Sequence, residues 1–106
     1  MKDDVLEVKE EMRDGICVLT AKGRIDSNSA DTLLFFLEKA LNEEKHTSII
    51  LNMRQVEYLS SIGIRVILKA YKQLTGSGGS FNIENPSEIV KNVLGMAALQ
   101  EMLIKD

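Results

Sequence analysis

The stretch with the most chemical promise is Tyr58-Leu59-Ser60-Ser61-Ile62-Gly63-Ile64-Arg65. It follows an apolar run and opens a segment whose apolar residues recur at helical spacing, so a serine hydroxyl falls at a helix N-terminus. A serine there can cap the helix by accepting a backbone N–H. It can also accept a phosphoryl group. Phosphate adds about −1.5 to −2 charges, and the helix dipole with its unpaired N–H groups stabilises them. Capping is the plainer reading and applies to one of the two serines in either case. Arg65 lies one turn beyond Ser61 and Lys69 another turn on.

Other candidates carry less. Gly76-Ser77-Gly78-Gly79 has the composition of a phosphate cradle. Such cradles lie between a strand and the following helix, whereas here a helix precedes the glycines and a strand follows. The stretch reads as a connecting loop. Cys17 lies in an apolar strand, where a free thiol behaves as a small hydrophobe. A catalytic cysteine needs partial exposure and an electropositive setting. His46, the only histidine, sits in a polar helix-to-strand connection and cannot be assigned as its base. The chain shows no carboxylate pair with a matching base, no metal-ligand cluster and no cofactor fingerprint. A non-enzymatic protein with no metal and no cofactor is expected.

Composition narrows the classes further. The 106 residues fit one domain, taken as 1–106, with 44% hydrophobic residues to fill a core. A single cysteine excludes a disulfide framework and a cysteine-rich zinc site, and a single histidine excludes any site needing two imidazoles. The net charge of −3, with charges interspersed, argues against nucleic acid. No apolar run approaches the ~20 residues of a bilayer span, and Met1-Lys2-Asp3-Asp4 begins no signal peptide. The expectation is a soluble cytoplasmic protein with no membrane partner.

The elements that must position the serines follow from periodicity. Val5 to Lys9 alternates as a half-buried strand, and Arg13-Asp14-Gly15 turns the chain into the apolar strand Ile16 to Ala21, which Gly23 to Asp26 extends or ends. Asp26-Ser27-Asn28-Ser29 is a cluster of helix N-cap candidates. The stripe Ala30, Leu33, Leu34, Leu37 and Leu41 follows, closed by polar Asn42 to Thr47. Ser48 to Met53 is a buried strand. The next helix shows Ile64, Ile67, Leu68, Tyr71 and Leu74 on one face, and Phe81 and Ile83 alternate in a short strand. Asn85 then caps a helix with Pro86 in its first turn and Glu88 three residues on. That helix has the stripe Ile89, Val90, Val93 and Leu94 and ends at Gly95. A last helical turn or two carries Leu99, Met102 and Leu103. The order β-β-α-β-α-β-α-α implies an α/β fold, a mixed sheet of four or five strands with Ile16 to Thr20 and Ile49 to Leu51 central.

Phe35 stands apart. At ~100° per residue it points nearly opposite the stripe of Leu33, Leu37 and Leu41, with Phe36 on the flank. It is either a lone exposed aromatic or a contact with a partner or a second copy of the chain, as in a weak homodimer.

Four segments resemble the STAS domain family, in its single-domain anti-sigma factor antagonist form. They are Val18 to Asp26, containing Gly23-Arg24-Ile25-Asp26; Ser48 to Met53; Tyr58 to Leu68; and Phe81-Asn82-Ile83-Glu84-Asn85-Pro86. Their order and spacing fit the element order above, over roughly Val5 to Leu103. The resemblance implies a mixed sheet with helices mainly on one face. It implies partner switching: the antagonist binds an anti-sigma factor that is also a serine kinase, is released by phosphorylation, and is reset by a phosphatase. The phosphoacceptor of the family lies two residues before the motif glycine. With Gly63 as that glycine, the position is Ser61. Ser60 and Asp26 then shape the surrounding loop, while Ile62, Gly63, Arg65 and Lys69 belong to the switch helix. Ser60 stands where many members have an acidic residue, Ile62 where a smaller one is usual, and Asn52 where aspartate is frequent. The alternative within the family is an interaction module of a larger sensing complex, without a phosphorylation switch.

Overall fold

The computed structural model describes residues 6–96. The elements are β1 (Glu7–Arg13), β2 (Ile16–Ile25), α1 (Ala30–Glu38), a π-helical turn (Lys39–Glu43), β3 (Ser48–Leu59), α2 (Ser61–Gly76), β4 (Ser80–Glu84) and α3 (Glu88–Met96). The sheet has four strands in the order β1-β2-β3-β4, so β2 and β3 are central, as expected. β1 and β2 form an antiparallel hairpin. Asp14 and Gly15 turn it with φ of 52° and 82°, the paired left-handed conformation that matches the twist of a tight hairpin. β3 runs parallel to both β2 and β4. Parallel neighbours need crossovers, which α1 and α2 supply.

One face of the sheet is apolar. Cys17, Leu19 and Ala21 of β2, Ile49, Leu51 and Met53 of β3, and Phe81 and Ile83 of β4 are buried in one core. Leu33 and Leu37 of α1, Ile67, Ala70 and Leu74 of α2, and Val90 and Leu94 of α3 complete it. The other face carries polar groups, with Glu7, Lys9, Glu11, Thr20, Lys22 and Gln55 gathered on it. Arg13 pairs with Glu84 at 2.8 Å, joining the two edge strands.

Several local expectations change. β3 continues beyond Met53 to Leu59, because Val56 and Leu59 keep a buried face while β2 alongside shifts register between Thr20 and Lys22 and between Gly23 and Arg24. Gly23 takes φ 121°, a value a side chain disfavours, at the second of those irregularities. The polar stretch after Leu41 does not simply end α1, since residues to Glu43 form the π turn. The side chain of Asn85 does not cap α3. It has φ 49°, and Ser87 caps instead, its Oγ accepting the Val90 N–H at 3.3 Å and donating to the Val56 carbonyl at 2.8 Å. Ile89 is exposed rather than part of the buried stripe. Gly95 lies inside α3, which runs to Met96. The expected last turn with Leu99, Met102 and Leu103 lies outside the described residues. Phe35 is 60% exposed against 0% for Leu33 and 1% for Leu37, as its helical position requires.

Candidate functional site

β2 and β3 end side by side, with Ile25 paired to Leu59. The backbone N–H of Ser60 donates to the Ile25 carbonyl at 2.9 Å, so the chain leaves the sheet at a fixed point. Ser60 is extended, with φ −85° and ψ 170°, and its Oγ accepts the Gly63 N–H at 3.2 Å. The helix then starts at Ser61. Of the two serines, Ser60 is therefore the cap, and exposed Ser61 holds the first helical position. The first turn of α2 contains no acidic residue, so no carboxylate of its own competes for the positive end of the dipole.

Gly63 sets how closely this turn approaches the sheet. A Cβ there would lie 2.6 Å from Ile25 Cγ2 and 2.7 Å from Leu59 Cδ1. The absence of a side chain lets α2 seat against the ends of both strands. The serine pair is thereby held at the carboxyl edge of the parallel strands, where ligand and partner sites of α/β sheets collect.

Asp26 builds the neighbouring loop. Its Oδ1 accepts the N–H groups of Asn28 and Ser29 at 3.0 and 3.2 Å, and Arg24 Nε lies 3.7 Å from Oδ2. Desolvation opposes ionisation here. The N–H of Asn28, the hydroxyl and N–H of Ser29 and the charge of Arg24 outweigh it and hold the carboxyl below its ordinary range. Ser29 is buried and serves this loop rather than capping α1 through its side chain, with its Oγ donating to the Arg24 carbonyl at 2.5 Å.

Ile62 and Arg65 are exposed beside Ser61, and Arg65, at i+4, shares its helix face. Lys69 is also exposed on the same helix. It is two turns on, ~12 Å along the axis, in the groove where Glu38 and Leu41 of the first helical segment meet Val66 and Gln73. Asn52 is remote from the serines. It lies eight residues before Ser60 and donates to Glu84 at 2.9 Å, at the C-terminal end of β4. Two residues that periodicity does not single out join the site. Arg24 lies 4.5 Å above the Tyr58 ring, and these two are paired in the β2–β3 register. Tyr58 and Ile62 are 40% and 41% exposed, an apolar fringe on either side of the serines. The signal for Tyr58 was the continuation of β3, which the charged residues after Met53 conceal.

Cys17 is fully buried, as expected. Burial, then the carboxylates of Glu10 and Glu44, push its thiol up to about 11, so it is protonated and poorly nucleophilic at neutral pH. The fold nevertheless brings His46 and Glu10 to it. One donor atom from each of Glu10, Cys17 and His46 lies within 4.8 Å of the others. These residues sit at the opposite end of β2 from Ser61. Among the described residues, no helix is long and apolar enough to cross a membrane.

The sequence model of the STAS domain matches residues 7–105. The chain belongs to the STAS domain family. It is 22% identical over 98 residues to an anti-sigma F factor antagonist of Paenibacillus polymyxa, covering 92% of this chain and 84% of the relative. Its fold matches that of the anti-sigma factor antagonist SpoIIAA in its unphosphorylated form, with TM-score 0.81 and 21% identity over 94% of this STAS domain and 88% of the other chain. It also matches the Bacillus cell fate determinant SpoIIAA in the phosphorylated form, with TM-score 0.75 and 20% identity over 94% and 91% of the two chains. The mixed sheet with helices on one face is thus the STAS fold.

Proposed function

We propose that this STAS domain is an anti-sigma factor antagonist that works by partner switching. It binds an anti-sigma factor that is also a serine kinase, is phosphorylated on Ser61 and is released. A phosphatase restores the binding form. The protein acts by binding and carries out no catalysis of its own. The observation that carries this reading is the division of labour between the serines: Ser60 spends its oxygen on the Gly63 N–H, and Ser61 stands exposed at the start of α2. The name of the Paenibacillus polymyxa relative supports the same reading, as does a fold shared with SpoIIAA in both phosphorylation states.

The charge change supplies the switch. A phosphate at the first helical position is stabilised by the dipole and the free N–H groups of the first turn, so the fold persists. The partner, however, must desolvate a dianion where it met a hydroxyl. Asp26, Ser60 and Gly63 hold the geometry, while Ile62, Arg65, Tyr58 and Arg24 offer the surrounding contact surface. Incubation with the cognate kinase and ATP, followed by phosphopeptide mapping, tests the assignment. Phosphate is expected on Ser61, in the parent and in the Ser60→Ala protein alike. Incorporation at Ser60 would show that the wrong serine has been chosen.

A second reading rests on Ile62, an exposed aliphatic residue where the family usually has a small one. It enlarges the apolar surface of Tyr58 and favours a constitutive contact in a larger sensing complex. Intact mass of the protein from its native cells separates the two, because only the switch reading predicts a phosphorylated fraction.

A further inference from the structure

At the end of the sheet away from Ser61, four donor side chains from separate parts of the chain converge. Glu10 comes from β1, Cys17 from the start of β2, and Glu44 and His46 from the connection between the π turn and β3. One donor atom from each of Glu10, Cys17 and His46 lies within 4.8 Å of the others, and Glu44 stands beside His46. His46 Nε2 lies 3.7 Å from Glu10 Oε2 and 3.2 Å from Glu44 Oε1, and Cys17 Sγ lies 3.8 Å from the same Glu10 oxygen. In a tetrahedral zinc site, with bonds of about 2.0 Å to nitrogen or oxygen and about 2.3 Å to sulfur, ligand atoms are separated by roughly 3.3–3.7 Å. Two edges of the required tetrahedron, His46–Glu10 and Cys17–Glu10, are therefore present to within a few tenths of an ångström, and Cys17 and His46 lie within 4.8 Å of each other. We propose that Glu10, Cys17 and His46 form a zinc-binding site, leaving the fourth tetrahedral position to solvent.

The donor chemistry selects the metal. A thiolate and an imidazole suit Zn²⁺ and disfavour the hard cations Mg²⁺ and Ca²⁺, which take oxygen ligands. Charge is also matched. Zn²⁺ with one thiolate and one carboxylate is neutral, and the nearby Glu44 carboxylate is offset by Lys39, whose Nζ lies 3.8 Å from its Oε2. The backbone contributes to the convergence. Lys45 has φ 55°, a left-handed value uncommon for a residue with a side chain, and it lies between Glu44 and His46, whose side chains meet. An entry path exists, since Cys17 is buried while the side chains of His46 and Glu10 are each 21% exposed. A strand of eight residues, about 26 Å, separates Cys17 from Ile25 beside the serines, so the inference does not depend on the switch.

The test uses the full chain, stripped of metal and kept reduced. Zn²⁺ titrated in a calorimeter should bind with one equivalent, and free Zn²⁺ at a hundredfold above Kd should raise the melting temperature by about 10 °C. Mg²⁺ should do neither. Co²⁺ as a spectroscopic probe should give a near-ultraviolet thiolate-to-cobalt charge-transfer band and the visible bands of a tetrahedral ion. The partly exposed variants His46→Gln and Glu10→Gln should fold as the parent does and lose most of the Zn²⁺-induced shift, while Cys17→Ser should lose the charge-transfer band. An unchanged melting temperature with Zn²⁺, Co²⁺ binding without that band, or a full shift retained in His46→Gln would each overturn the proposal.

Discussion

The Ser60 hydroxyl accepts the Gly63 backbone N–H at 3.2 Å, and this bond assigns different tasks to two adjacent and chemically identical side chains. Ser60→Ala removes a helix cap and should lower stability by about 1 kcal/mol. Ser61→Ala removes an exposed hydroxyl that does not cap the helix and should change stability by less than about 0.5 kcal/mol. Urea denaturation of the two variants checks this. Equal losses would mean that the capping role is shared.

Gly63→Ala places a methyl group where Ile25 Cγ2 and Leu59 Cδ1 already sit, at 2.6 and 2.7 Å. Either those side chains move or α2 backs away from the sheet. Overpacking of this kind costs about 1–3 kcal/mol. Displacing the first turn also displaces Ser61, so partner binding should fall by more than stability alone accounts for. A melting temperature equal to that of the parent would show that the helix start is not seated as described.

The sequence made the central strands and α2 plain because they are driven by burial. Ile16 to Leu19 and Ile49 to Leu51 are unbroken apolar runs, and they became the centre of the sheet. The second half of β3 was hidden because its buried residues, Val56 and Leu59, are spaced by three, not two, alongside register shifts in its pairing with β2. Period-two reasoning fails across such an irregularity. Asn85 looked like a cap by residue type, yet Ser87 is the one whose hydroxyl reaches both Val90 and Val56. At the site, the serines and the glycine were legible from local spacing. The stacking of Arg24 on Tyr58 was not, since it depends on strand register. Nor was the meeting of Cys17 with His46, 29 residues away along the chain.

Phe35 and Leu37 are two residues apart on α1 and differ from 60% to 1% in exposure. Leu37→Ala should cost about 2–5 kcal/mol, the usual range for a buried leucine. Phe35→Ala forfeits little beyond its edge-on contact with Phe36, at 5.4 Å between ring centroids, worth about 0.5–1.5 kcal/mol. Comparable losses on chemical denaturation would mean that the buried face of α1 has been assigned wrongly.

Stability should also depend on acid. The hydrogen bond from Arg13, assisted by Asn52, holds the Glu84 carboxyl below its ordinary range against the opposing effect of desolvation. A carboxyl with a depressed folded-state pKa contributes stability above its unfolded value, near pH 4.3, and that contribution is lost as pH falls through the folded value. Glu84→Gln should therefore show a shallower decline in melting temperature than the parent as pH is lowered from about 5 to about 3. Parallel curves would remove Glu84 from the account.

The central claim is that charge at Ser61 governs partner binding and leaves the fold alone. Calorimetric affinity for the cognate anti-sigma factor, measured with the Ser61→Ala and Ser61→Glu proteins, tests it most directly. Ser61→Ala should bind as the parent does. Ser61→Glu should bind two to three decades more weakly, a loss of about 3–4 kcal/mol, with its melting temperature close to that of the parent. A Ser61→Glu protein that binds as tightly as Ser61→Ala would contradict the charge switch.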